Sequence, residues 1–121
     1  MKAIKAIYKY QLGEGACVVG RYEILMPRGA KILSVENQNN TCVIYAIVST
    51  EEKKERHIFY AYPTGAPIQP KGKFLGTIMF YEDYDMGDIT KRYSISVTHI
   101  FHHREYLWEK LIRLFKKSGG G

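Results

Sequence analysis

Short β-type runs separated by turn residues constrain the fold of this chain more than any other feature. Seven such runs cover 7–12, 17–26, 30–38, 41–49, 56–62, 74–81 and 93–101. Most alternate apolar and polar residues, whereas 41–49 (TCVIYAIVS) is almost wholly apolar, which is typical of a central strand covered on both faces. The short, turn-rich spacings predict about seven antiparallel strands in a sandwich or a barrel-like sheet.

Two local patterns refine this prediction. The tetrapeptide NQNN at 37–40 indicates a tight hairpin turn, because asparagine tolerates positive φ. In the run before it, strict alternation places Leu33 and Val35 on one face and Ile32 on the other.

The stretch 104–117 (REYLWEKLIRLFKK) has the period of an amphipathic α-helix, with Leu107, Leu111, Leu114 and Phe115 on one face. The fold class is therefore predicted as mainly β with one C-terminal amphipathic helix. We expect one domain, made of an antiparallel β part over 1–103, the helix over 104–117 and a flexible Ser-Gly-Gly-Gly tail over 118–121. The helix either covers a sheet face or an oligomer seam, or is displayed for a membrane or a partner groove.

Size and composition suit a single domain that folds without metals or disulfides. The chain has 121 residues, of which 45% are hydrophobic. Cys17 and Cys42 lie in apolar runs and are expected to act as small buried hydrophobes. The start MKAIKAIYKY lacks the apolar centre of a signal peptide, and no run approaches the roughly 18–20 apolar residues of a membrane span. We expect a cytoplasmic protein with no membrane span.

The charge pattern favours anionic partners. The net charge is +6, and +3 of it falls within 104–117. Nucleic acid, nucleotides or a membrane surface fit this excess. Solubility, together with cations at a helix C-terminus, explains it equally well.

No motif identifies a catalytic site, so the chain is predicted to be a binding protein without a cofactor, not an enzyme. His99, His102 and His103 cluster on the last run, but a polar sheet edge explains them better than a metal or general-base site. The acidic segment YEDYDMGD at 81–88 is expected to be a solvated loop, or the negative half of a contact with a second copy. The loop PTGAPIQPKGK at 63–73 offers glycines and two lysines to a phosphate without forming a Walker or dinucleotide motif.

Several segments together resemble a small family of proteins from tailed phages and prophages. They are IYKYQL, EILMPRGAKILSVENQNNTCVIYAIVS, PTGAPI, FLGT and VTHIF, spread over 7–101 and clearest over 24–49. The resemblance carries no activity and implies an origin, not a mechanism. The chain departs from that family in its longer acidic stretch around 81–92 and in the basic extension 104–117.

These features lead to a functional hypothesis. We expect a phage-type accessory protein, active in an infected bacterial host, that counters defence by sequestering an anionic nucleotide signal or by occluding a host defence protein. The alternatives are non-specific nucleic-acid binding, or a structural module that docks through its terminal helix; a homo-oligomer is expected. Lysine and arginine would neutralise phosphate and tyrosine would stack on a base. The candidate ligand-binding residues are Lys71, Lys73, Tyr81, Arg92, Tyr93, Arg113 and Lys116.

Overall fold

A computed structural model describes residues 4–13, 19–68 and 72–105, and these residues are all β. They form seven strands: β1 (Lys5–Leu12), β2 (Gly20–Pro27), β3 (Lys31–Gln38), β4 (Thr41–Ser49), β5 (Lys54–Pro63), β6 (Lys73–Asp85) and β7 (Thr90–Glu105). Every pairing between them is antiparallel. The expectation of seven antiparallel strands is confirmed.

The strands form two sheets that share one hydrophobic core. One sheet has the order β1-β4-β3 and the other the order β2-β5-β7-β6. The largest buried side chains come from both sheets, among them Leu12 and Ile44 from the first and Phe59, Phe80 and Ile100 from the second. Alternation along each strand supplies these inward residues, so the opposite face of each sheet remains for other contacts.

The apolar run 41–49 is the central strand of the three-stranded sheet, as predicted. Cys42, Ile44, Ala46 and Val48 are buried toward the core. Tyr45, however, is only partly buried on the other face, so the strand is not fully covered on both sides.

The β3–β4 hairpin confirms the turn prediction and corrects the strand before it. Asn39 and Asn40 have φ values of 53° and 60°, so both adopt the left-handed conformation. The register of β3 shifts between Ile32 and Ser34, a bulge that turns both Ile32 and Val35 toward the core and leaves Leu33 44% exposed. The strict alternation predicted for this strand is therefore wrong.

The predicted C-terminal helix is also wrong. No helix occurs in the described ranges, and β7 continues through Arg104 and Glu105, where the helix was expected to begin. Pairing with β5 explains this, since Arg56 lies opposite Glu105 and His57 opposite Arg104. The remaining predicted helical residues and the tail 118–121 lie outside the described residues. Within the described ranges, no helix has the length and apolarity needed to cross a membrane.

Candidate ligand-binding site

A row of four aromatic side chains crosses the outer face of the four-stranded sheet. Tyr60 and Tyr62 alternate with inward residues on β5, while Phe101 of β7 lies opposite both Tyr60 and Phe74 of β6 in the ladders. The Tyr60 and Tyr62 rings are parallel with centroids 6.2 Å apart. Phe101 lies 5.8 Å from Tyr62 and 5.4 Å from Phe74. We call these four residues the aromatic row.

One end of the row opens into a shallow pocket of about 220 Å³. Tyr62, Phe74 and Phe101 line it, together with residues 63–66 and 68 of the loop that contains PTGAPI. Phe74 is 52% exposed, so its ring is available to a ligand at the mouth. Such a pocket, with apolar walls and few polar groups, has the general character of a small-molecule site.

His99 supplies the polar part of this pocket. Its Nδ1 lies 2.9 Å from Thr77 Oγ1, and its Nε2 lies 2.9 Å from Thr64 Oγ1. Each hydroxyl can donate or accept, so the two threonines fix the plane of the imidazole. The PTGAPI loop is thereby tied to β6 through a β7 side chain.

Positive charge flanks the other end of the aromatic row. Arg21 Nη1 donates to Glu23 Oε1 at 2.6 Å, and the Arg56 guanidinium donates to the same oxygen. The hydrogen bond from Arg21, followed by that from Arg56, lowers the pKa of Glu23. Two arginines thus contact one carboxylate near Tyr60. Lys73, directly before Phe74 in the chain, is exposed, but it lies opposite His102 and therefore on the other face of the sheet from the pocket.

A second and larger cleft, of about 460 Å³, lies between the β3–β4 turn and the edge strand β6. Tyr81 and Arg92 line it, so two of the predicted residues do come together. Arg92 contacts Asp83 through Nε at 2.8 Å and Nη2 at 3.2 Å, and lies 5.4 Å from the Tyr81 ring centroid. The hydrogen bond from the Arg92 guanidinium lowers the pKa of the Asp83 carboxyl. Asp83 therefore already neutralises Arg92 in this cleft.

The other predicted residues are dispersed. Tyr93 packs against Tyr84 with ring centroids 5.3 Å apart, away from the cleft that holds Arg92. Lys73 lies opposite His102, on the face of the sheet away from the aromatic row. Lys71, Arg113 and Lys116 lie outside the described residues. The aromatic row itself was missed, although the alternation in the strand RHIFYAYP already places Tyr60 and Tyr62 on one face.

The histidines of β7 lie on both faces of the four-stranded sheet, and one of them contacts His57 of β5. His102 points toward the core side, where its Nε2 lies 2.8 Å from Nδ1 of the fully buried His57. His57 Nε2 in turn lies 3.0 Å from Glu55 Oε1. Burial, and then the nearby charge of His57, lowers the pKa of His102 to about 4. No group of three or more metal-ligating side chains forms within 4–13, 19–68 and 72–105.

The described residues form a small two-sheet β protein with a row of aromatic side chains on its outer face. The chain belongs to the family described as a domain of unknown function (DUF7352), whose model matches residues 3–86. This confirms that the chain has a family of unknown function, while the phage origin stays a prediction. Neither the curated proteins nor the solved structures contain a match to this chain. The match spans β1 to β6, and β7 follows it.

Proposed function

We propose that this protein binds an anionic, base-bearing ligand on the aromatic row, with a base in the pocket beside Phe74. The observation that supports this most is the row itself, in which neighbouring rings lie 5.4–6.2 Å apart across three strands on the solvent side of the sheet. Aromatic side chains stack on any base through its π-face. Arg21 lies opposite Tyr60 in the ladder, Arg56 lies on the same strand as Tyr60, and these two arginines would contact phosphate.

A nucleotide is the first candidate because the pocket is small and bounded. At about 220 Å³ it suits one base, and Thr64 and His99 are the polar side chains that line it. In this proposal the protein is a phage-type accessory factor that sequesters a nucleotide signal of host defence. The sequence resemblance supports that origin.

Single-stranded nucleic acid is the second candidate, and the length of the aromatic row favours it. The row continues past the pocket to Tyr60, where Arg21 and Arg56 lie. An open row of rings beside cations is how many proteins hold successive bases. Affinity would then rise with oligonucleotide length and fall steeply with salt.

Substitution of Phe74 tests the proposal. Phe74→Ala removes a half-exposed ring, so the fold should survive while one stacking partner is lost. Loss of one stacked base costs about 1–3 kcal/mol, which corresponds to roughly 5- to 150-fold weaker binding. Isothermal titration with cyclic nucleotides, mononucleotides and a short single-stranded oligonucleotide measures this effect and separates the two candidates.

Tyr8→Ala is the matched control. Tyr8 is 44% exposed and lies on β1, in the other sheet. The Tyr8→Ala substitution should leave the affinity for nucleotides and oligonucleotides unchanged. The proposal is wrong if no nucleotide or oligonucleotide binds, or if Phe74→Ala and Tyr8→Ala bind as tightly as the native chain.

A further inference from the structure

The cleft between the β3–β4 turn and β6 has the features of a second binding site, separate from the aromatic row. Its volume of about 460 Å³ falls within the range of roughly 300–1,000 Å³ that is typical of small-molecule sites. Its lining is mostly polar and consists of Asn37, Asn39, Asn40, Met79, Tyr81, Asp83 and Arg92. Asp83 belongs to the acidic segment that was expected to be a loop, but β6 continues through it as far as Asp85.

Both walls of the cleft are held in place by hydrogen bonds. The Asn37 amide donates to Met79 O at 2.7 Å, and the Asn40 amide bonds both the backbone N–H and the backbone C=O of Tyr81. The Asn40 backbone N–H in turn donates to Asn37 Oδ1 at 2.8 Å. The turn is therefore fixed against the edge of β6 before a ligand arrives, which keeps the entropic cost of binding low.

Three side chains of the lining keep hydrogen-bonding capacity for a ligand. The Asn39 amide is exposed and makes no hydrogen bond among the described residues. Arg92 donates to Asp83 through Nε and Nη2, so its Nη1 donors remain, and each Asp83 oxygen keeps a lone pair. The Arg92 and Asp83 side chains are 65% and 47% exposed, so a ligand can reach both of them.

The charges that line the cleft cancel, which restricts the kind of ligand it accepts. An anion that approaches Arg92 also meets the Asp83 carboxylate, and a cation that approaches Asp83 also meets the guanidinium. A wholly apolar ligand would cover amide and charged groups without giving them partners. The lining therefore suits an uncharged ligand whose groups both donate and accept hydrogen bonds.

We propose that this cleft binds a neutral carbohydrate. A hydroxyl group both donates and accepts hydrogen bonds, so neighbouring hydroxyls of a sugar can engage a donor and an acceptor together. The Asn39 amide and the Asp83–Arg92 pair each present a donor beside an acceptor. Tyr81 and Met79 supply the apolar part of the lining, which suits the C–H groups of a sugar ring. These two side chains lie together, since Tyr81 Oη is 3.0 Å from Met79 Sδ.

An NMR titration of the full, isotope-labelled chain tests the proposal. The probes are glucose, galactose, mannose and N-acetylglucosamine, together with the disaccharides lactose, maltose and chitobiose. At least one of them should shift the backbone signals of Asn39, Tyr81 and Arg92 along a saturable curve. The proposal is overturned if none of these sugars shifts the three signals up to the limit of its solubility.

Substitution of Asn39 locates the bound sugar. Asn39→Gly keeps the left-handed turn, in which Asn39 has φ 53°, and should weaken binding at least about 5-fold through the loss of two neutral hydrogen bonds. Gln38→Ala is the matched control, because it removes a neighbouring exposed amide that contacts Lys9 Nζ and does not line the cleft. Gln38→Ala should bind as the native chain does. Equal affinities of the two variants for the sugar would overturn the proposal.

Glucuronate and galacturonate, the acids of glucose and galactose, test the requirement for a neutral ligand. The native chain should bind each acid more weakly than its parent sugar, because the acid places a second carboxylate near Asp83. Asp83→Asn should reverse this order, since Arg92 then lacks its carboxylate partner. The assignment of a neutral ligand is wrong if the native chain prefers the acids, or if Asp83→Asn leaves the order unchanged.

The carbohydrate site does not depend on the proposed function. The cleft and the aromatic row have no residue in common, so Phe74→Ala should keep the native affinity for the sugar and Asn39→Gly should keep that for nucleotides. A failure of sugar binding and a failure of nucleotide binding are thus observed with different ligands and different variants.

Discussion

Gly72 shows how much can depend on a single missing side chain. It has φ +82°, and a Cβ built on it would lie 2.1 Å from the backbone oxygen of His102. Only glycine allows the chain to pass this close to β7 before β6 begins. The contact therefore sets where Lys73 and Phe74 enter the sheet, and with them the mouth of the pocket.

We predict that Gly72→Ala lowers the free energy of unfolding by more than about 2 kcal/mol, because backbone must move to accommodate the methyl group. Gly65→Ala is the matched control, since Gly65 also has positive φ (+87°) but open space where its Cβ would lie. It should cost only about 1 kcal/mol of backbone strain. Urea unfolding of both variants measures the difference. Equal losses would show that the contact with His102 adds nothing.

At the scale of elements, the β3–β4 hairpin closes one end of the sandwich through Asn40. The Asn40 side-chain amide donates to Tyr81 O and accepts from Tyr81 N at 3.1 Å. The amide thereby makes the two backbone hydrogen bonds that a neighbouring strand would make with Tyr81 on the exposed edge of β6. Asn37 adds a bond from Nδ2 to Met79 O at 2.7 Å. The hairpin thus ties the two sheets together by polar contacts outside the core.

Asn40→Gly should destabilise the protein by about 1–3 kcal/mol, since it keeps the left-handed turn but leaves the Tyr81 backbone groups without this partner. Asn39→Gly keeps the same turn geometry and removes an amide that makes no bond to β6. Thermal unfolding of the two variants is the measurement, and Asn39→Gly should lie close to the native chain. Identical Tm values for both variants would contradict the bridging role.

The sequence predicted the elements well where each strand depends only on its own pattern. The run 41–49 coincides with β4, and the NQNN turn has the expected backbone. The predictions were wrong where pairing with a neighbouring strand determines the structure. The β3 bulge is fixed by the β4 ladder, and the extension of β7 through Arg104 and Glu105 is fixed by β5. The helical period of 104–117 gives no sign that β5 pairs with the first residues of this stretch and keeps them in a strand.

The same distinction explains which parts of the candidate site could be predicted from the sequence. Tyr60 and Tyr62 belong to one strand and their shared face is legible in the sequence. Phe74 and Phe101 come from other strands, and only the register places them in the row. For the same reason Arg92 looked like a free cation until β6 placed Asp83 opposite it.

At the scale of the whole molecule, the buried pair His57–His102 makes stability depend on pH. Burial lowers the pKa of His102 to about 4, and burial also lowers that of His57. The unfolded chain takes up these protons near pH 6.5, before the folded chain does. The stabilisation is therefore complete above about pH 6.5 and is lost as the pH falls toward 4.

We predict that the Tm falls steadily between pH 7 and pH 5, and that His102→Gln removes part of this slope because glutamine cannot take up the proton. Scanning calorimetry of both chains at matched ionic strength measures the slopes. Leu33→Ala, at an exposed apolar site on β3, is the control and should keep the native slope. Parallel curves for the native chain and His102→Gln would rule out the buried pair as the cause.

The position of β7 between β5 and β6 has a consequence for synthesis on the ribosome. β5 and β6 leave the ribosome before β7, the last described strand, which lies between them in the sheet. Until residues 90–105 have left the exit tunnel, Tyr62 and Phe74 have no Phe101 between them, and the pocket has no His99. The aromatic row is therefore completed in one step, when β7 emerges, and a nascent chain that ends before β7 lacks it.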